Sequence, residues 1–102
     1  MEYRSSTNGD TATLQILGEL DALTVPEIRP ELDRIVSDGT QRVVVDLTGL
    51  RLVDSSGVGA IVSLFKRVRA EGREFDVTGV QGQPLQIFEV LRLDHVFRLK
   101  RR

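Results

Sequence analysis

The residues best placed to do chemistry form one short run, Val53-Asp54-Ser55-Ser56-Gly57-Val58-Gly59. A carboxylate is followed by two hydroxyls, and two glycines flank a valine, so small side chains leave the backbone open. If a helix begins here, the hydroxyls meet unpaired amides and the positive end of the helix dipole, which favour an oxygen acceptor or an added phosphate. The plainer reading of the same residues is helix capping by Asp54 or Ser55, with the glycines serving only the turn. Other chemistry is thin. The one histidine, His95, stands beside Asp94, but a hydrolase needs a Gly-x-Ser-x-Gly elbow where this chain has Asp54-Ser55-Ser56-Gly57. With no cysteine and one imidazole there is no ordinary structural zinc site. Asp10, Glu19, Asp21, Asp46 and Asp54 are too scattered for a calcium loop. Gly57-Val58-Gly59-Ala60-Ile61-Val62 carries only the first half of a dinucleotide fingerprint, and there is no phosphate-binding P-loop. The expectation is a binding module, not an enzyme, with no catalytic residues, metal or cofactor.

The elements that must position this turn follow from periodicity. Thr11 to Leu17 alternates, with Ala12, Leu14 and Ile16 on one side and Thr11, Thr13 and Gln15 on the other, which predicts a strand with one wet face. Asn8-Gly9-Asp10 is a turn signal, and Glu2 to Ser5 can supply an antiparallel partner strand. Thr24 with Glu27 three residues on has capping-box spacing and predicts a helix start. The expected buried stripe is Ile28, Leu32, Ile35 and Val36. Pro30 conflicts with a straight helix and predicts a bend, or a start nearer Arg29. Gly39 is suited to the left-handed C-terminal cap.

Arg42 to Leu47 is a β-branched run that predicts a central strand covered on both faces. Gly57 to Ala70 has helical spacing, with Val58, Ile61, Val62, Phe65 and Val68 inward and Lys66, Arg67 and Arg69 outward. Phe75 to Thr78 reads as a strand, Pro84 to Leu91 as a short helix with Leu85, Phe88 and Leu91 inward, and Val96 to Leu99 as a last strand. Strands and helices alternate, so the fold class is α/β: a mixed, mostly parallel sheet of four to five strands with helices packed on it. The turn at Ser55 then lies on the crossing from the central strand into the second helix, at the carboxyl end of a parallel strand, where ligands and partners tend to bind.

Composition bounds the rest. The chain has 102 residues, 40% hydrophobic and 28% charged, which suits one soluble domain over residues 1–102. No cysteine fits a reducing compartment. The start, Met1-Glu2-Tyr3-Arg4-Ser5-Ser6, lacks a signal pattern, and apolar stretches such as Ala60 to Phe65 fall far short of a membrane span, so a cytoplasmic protein is expected. A net charge of −1 and 5% aromatics argue against nucleic-acid binding. Lys100-Arg101-Arg102 is the one basic cluster and reads as a solvated tail.

Val43-Val44-Val45-Asp46-Leu47-Thr48-Gly49-Leu50-Arg51-Leu52-Val53-Asp54-Ser55-Ser56-Gly57-Val58-Gly59-Ala60 resembles the signature of STAS domains in bacterial anti-sigma factor antagonists. Gly18-Glu19-Leu20-Asp21 followed by Thr24 resembles the family's earlier block, and Leu85-Gln86-Ile87-Phe88 through Leu93-Asp94-His95-Val96-Phe97 its last helix and exit. Pro30 is the least typical feature. The resemblance implies a phosphoacceptor at Ser55. It also implies a partner surface that includes Asp21, with Asp54, Ser56, Gly57, Val58 and Gly59 around the acceptor. The implied partners are an anti-sigma factor that is also a serine kinase of the histidine-kinase-like ATPase fold, and a PP2C-type phosphatase. On this reading the unphosphorylated antagonist binds the anti-sigma factor and a sigma factor is released. The alternative use of the same fold is a subunit that docks on a membrane lipid or anion transporter without phosphorylation.

Overall fold

Alternation along Thr11–Leu20 makes β2 the strand around which the sheet is organised. The computed structural model describes residues 1–99. In chain order the elements are β1 (Glu2–Asn8), β2 (Thr11–Leu20), α1 (Val25–Asp38), β3 (Arg42–Asp46), β4 (Leu50–Val53), α2 (Ser55–Ala70), β5 (Glu74–Thr78), α3 (Gly82–Val90) and α4 (Leu93–Val96). β1 pairs antiparallel with β2 through the expected Gly9 turn, whose φ is 61°. β3 pairs parallel with β2, and β5 parallel with β3, giving the order β1-β2-β3-β5. β4 pairs parallel with the last residues of β2, after a register shift between Gly18 and Glu19. Among the described residues the result is a mixed sheet of five strands carrying four helices.

In register, Ala12 lies opposite Val43 and Leu14 opposite Val45, and all four are fully buried. This apolar face joins Ile28, Leu32 and Ile35 of α1 and Val58, Ile61, Leu64 and Val68 of α2 in one core. Each large side chain so buried contributes about 1.5–3 kcal/mol before the entropy of ordering is subtracted. The expected α2 stripe is shifted slightly: Leu64 is buried, while Val62 and Phe65 are half-buried. Phe65 instead joins an edge-on aromatic cluster, with ring centroids 5.4 Å from Phe75 and 5.3 Å from Phe97.

Several expectations are corrected. β3 is interior to the sheet, yet its second face is not sealed: Val44 is only half-buried, and its neighbours Arg42 and Asp76 form an exposed ion pair of 2.6 Å. The β-branched run therefore reflects strand propensity more than two-sided burial. α1 begins at Val25, with Pro26 in its first turn, and continues through Pro30. It does not start near Arg29. Thr24 has helical dihedrals and makes no side-chain cap; its Oγ1 accepts from Asp21 N at 2.8 Å, and Glu27 takes the Met1 ammonium at 3.1 Å, so the capping box does not form. Gly39 caps α1 with φ 70°, as its position suggests.

Leu91 is 52% exposed and not inward. Val96 to Leu99 is not a strand; the chain forms the short α4, entered through Arg92 at φ 61°, which brings Phe97 into the aromatic cluster. Lys100-Arg101-Arg102 lies outside the described residues. Among the described residues no helix is long and apolar enough to cross a membrane.

Candidate functional site

The Asp-Ser-Ser-Gly turn leaves β4, a strand that periodicity does not predict, and not the central β3. Because β4 runs parallel to β2, the turn still sits at a carboxyl strand end. Asp54 N donates to Leu20 O at 3.3 Å, which anchors the turn to the end of β2. Asp54 itself is extended and serves as the N-cap of α2, its Oδ1 accepting from Gly57 N at 2.9 Å. Of the two possible caps, Asp54 and Ser55, the structure uses Asp54. Its Oδ2 accepts from Ala22 N at 3.1 Å, so one carboxylate joins the β2–α1 loop to the start of α2. The Gly57 amide, with further amides of Ala22 and Ser56, holds the Asp54 carboxyl below its ordinary pKa against a smaller opposing effect of desolvation.

The β2–α1 loop is built by a second carboxylate. Asp21 Oδ1 accepts from Leu23 N and Thr24 N, both at 3.0 Å, a local side-chain turn. That bonding holds Asp21 half-buried and lifts Leu23 into solvent, 84% exposed. Between this loop, α1 and α2 runs a groove of about 310 Å³ lined by Ala22, Pro26, Arg29, Ser56, Gly59 and Ser63 among others. A larger groove of about 1010 Å³ follows β5, with Val44, Asp76, Leu85 and Phe97 in its walls, and includes no residue of the turn.

The residues singled out from sequence separate into two groups. Asp54, Ser55, Ser56 and Gly59 are exposed, and Asp21 is half-exposed beside them through the Asp54–Ala22 bond. Gly57 and Val58 are buried. A Cβ at Gly57 would stand 2.2 Å from Leu20 O and 2.6 Å from Val53 Cγ2, so this glycine lets α2 begin hard against β2 and does not open the turn to a partner's backbone. Val58 belongs to the core. A Cβ at Gly59 would meet nothing within 4 Å, so that position faces open space.

Three contributors were not legible. Leu23 is an apolar residue placed in a loop, a signal that periodicity rules pass over. Arg29 enters only because α1 runs beside α2. Gln83, on the first turn of α3, accepts from Val53 N through Oε1 and donates to Val53 O through Nε2, both at 2.9 Å. Nothing local in the sequence marks a contact across 30 residues.

Residues 3–102 match the STAS domain family. The anti-sigma-B factor antagonist of Staphylococcus epidermidis is 30% identical over 93 residues, which cover 91% of this chain and 86% of that protein. Its counterpart in Staphylococcus aureus strain NCTC 8325 / PS 47 is 29% identical over the same shares. A putative anti-sigma factor antagonist from Thermotoga maritima superposes with a TM-score of 0.84 at 18% identity, covering 92% of this chain and 81% of that one. The phosphorylated form of SpoIIAA from Bacillus gives 0.75 at 20% identity, covering 92% and 86%. At such identities the structural likeness speaks for the fold, and the match along the sequence speaks for descent. The chain belongs to the STAS domain family, as a relative of the anti-sigma factor antagonists.

Proposed function

We propose that this chain, acting as one domain over residues 1–102, is an anti-sigma factor antagonist: a cytoplasmic binding protein, not an enzyme, switched by phosphorylation of Ser55. The observation that carries the reading is the clamped turn. Asp54 fixes the backbone on both sides, while the Ser55 and Ser56 hydroxyls, Gly59 and Leu23 remain exposed around it. A partner can therefore close on a preformed surface, and a kinase can reach the hydroxyl without unfolding the turn. The curated relatives are named anti-sigma-B factor antagonists, and the fold matches SpoIIAA in both phosphorylated and unphosphorylated forms, with TM-scores of 0.75 and 0.71. Both facts support the reading.

The partner is an anti-sigma factor that is also a serine kinase of the histidine-kinase-like ATPase fold. In its complex the Ser55 oxygen attacks the γ-phosphorus of ATP. The new O–P bond forms as the bond to the β,γ-bridging oxygen breaks, ADP leaves, and the hydroxyl proton passes to a base on the kinase. A PP2C-type phosphatase reverses the modification by hydrolysis. The added group carries about −1.5 to −2 charges at pH 7. It would be desolvated in the complex beside Asp54 and Asp21, and a loss of about 3 kcal/mol already weakens binding more than 100-fold. In the free protein the start of α2 accommodates the same charge, worth about 0.3–1 kcal/mol in its favour. The switch then acts on the complex and leaves the fold intact.

The test is incubation with the cognate kinase and ATP, peptide mapping, and titration of the phosphorylated protein, Ser55→Asp and Ser55→Ala against the anti-sigma factor. Label on Ser55, weak binding by the phosphorylated protein and retained binding by Ser55→Ala are expected. Ser55→Asp is expected to fold normally and bind poorly. Label confined to Ser56, or equal binding with and without phosphate, overturns the switch.

A further inference from the structure

The residue before Asp54 is held by a side chain acting in place of a strand. Along β4 the backbone groups of successive residues point to opposite edges. Asp54 N is directed at Leu20 O on the β2 side, so the N–H and C=O of Val53 face the other edge. There they meet Gln83, whose amide accepts from Val53 N and donates to Val53 O at 2.9 Å each. A primary amide offers one acceptor and a donor in the spacing of a peptide group, and this one satisfies both groups of Val53 at once. Gln83 is itself fixed: Pro84 beside it is buried, and Gln81 Nε2 reaches Thr48 O at 3.2 Å on the preceding turn.

The end of β4 is therefore held from both edges, by Gln83 at Val53 and by Leu20 O at Asp54 N, with the Val53 side chain buried. Two residues later the chain presents Ser55. The Asp54 cap fixes the chain after the turn, and Gln83 fixes the chain before it. Without Gln83 the end of β4 keeps only the Asp54 N–Leu20 O bond on its β2 side, and the strand end can tilt while Asp54 still caps α2.

Resting on the switch reading above, we infer that Gln83 is a positioning residue for phosphorylation of Ser55: its paired bonds to Val53 set where the acceptor hydroxyl stands in the kinase. It touches neither ATP nor the hydroxyl. Misplacement of a reacting group by a fraction of an ångström lowers turnover while leaving the docking surface in place. Phosphorylation of Gln83→Ala should show kcat lowered about tenfold with KM within about twofold of the parent.

The experiment measures steady-state phosphorylation of the parent, Gln83→Ala and Gln83→Glu by the cognate kinase, beside hydrogen exchange of the Val53 amide. Gln83→Glu, ionised, keeps an acceptor for Val53 N–H and loses the donor to Val53 O, so it is expected between the other two in both readouts. It also serves if Gln83→Ala does not fold. Faster exchange at Val53 with an unchanged kcat makes Gln83 a structural clamp only and overturns the inference, as does a fall in affinity with no fall in kcat. If the parent itself takes no phosphate on Ser55, the switch reading fails and the positioning role with it, and the exchange data then report the clamp alone.

Discussion

The carboxyl end of α1 and the amino end of α2 face the same difficulty, a turn of backbone groups with no partner inside the helix, and meet it in opposite ways. At α1 the guanidinium of Arg73, whose side chain is 6% exposed, donates to Val36 O at 2.9 Å, Ile35 O at 3.0 Å and the carbonyl of Thr40. Asp38 Oδ1 at 3.2 Å and Glu71 Oε1 at 2.8 Å balance its charge. That end is sealed from within. At α2 the Asp54 carboxylate takes Gly57 N, and the serines stay in solvent. A helix end satisfied by the protein's own buried groups serves stability, whereas one left partly open is free to receive something from outside.

Four changes test how far that division holds. Arg73→Ala should have the largest effect, about 3–5 kcal/mol of stability lost, because it strands the α1 carbonyls and leaves carboxylates without their cation. Urea unfolding measures it. Arg73→Lys should recover little, since an ammonium cannot reproduce the planar fork. A loss under about 1 kcal/mol would show that the sealed end is not where stability resides.

Gly57→Ala comes next, at about 1–3 kcal/mol, since the added carbon meets the Leu20 backbone carbonyl as well as the buried Val53 side chain. It should also weaken partner binding, because relief of the clash must displace the start of α2. A folded variant with parental stability would mean that the turn is softer than its bonding indicates.

The third change is in pH. The folded Asp54 carboxyl lies below its ordinary value, chiefly through the Gly57 amide, so its stabilisation is fully present above the unfolded value of about 3.9. It is lost as pH falls through the lower folded value. Parent and Asp54→Asn should therefore differ in urea midpoint at pH 7 and converge on acidification. Asp46 follows the same course: burial raises its pKa, but the Thr48 hydroxyl and amide and the Gln15 side chain outweigh that and bring it down. Its effect is common to both proteins and cancels in the difference. A gap independent of pH would assign the Asp54 contribution to shape and not to charge.

The smallest stability change is expected at the open end. Gly59→Ala places a methyl group in empty space and should raise stability by about 0.5–1 kcal/mol through helix propensity. The same methyl group projects from the exposed first turns of α2, so affinity for the anti-sigma factor should fall while the urea midpoint rises. Equal affinity would remove this face from the interface.

What could be read from the sequence was what repeats locally. Period two in Thr11–Leu17 and helical spacing in Gly57–Ala70 each report one buried face, and both elements stand where that spacing puts them. β4 escapes because Leu50–Val53 is short and its two central residues are exposed, so it carries no run for a pattern to catch. Leu91 and the Val96–Leu99 segment are misread because three or four apolar residues near a chain end fit a strand or a helical turn equally well. Around the turn, the identity of the polar residues was legible, while their division of labour was not. Whether Asp54 or Ser55 caps α2, and whether a glycine faces Leu20 or open space, depends on which elements meet there. Gln83 and Arg73 act across 30 and 33 to 38 residues, and no local rule assigns them.

The double use of the Asp54 carboxylate has a consequence for how partner choice can change over generations. The two stretches that would form a docking face, 18–24 and 53–59, lie far apart in the gene yet share one anion, bonded to Ala22 on one side and Gly57 on the other. A substitution that re-aims either loop pulls on the other through that shared group. New selectivity for a different anti-sigma factor must then arise by matched changes in both stretches, or at outward positions such as Leu23 and Gly59 that can vary without disturbing the anion between them.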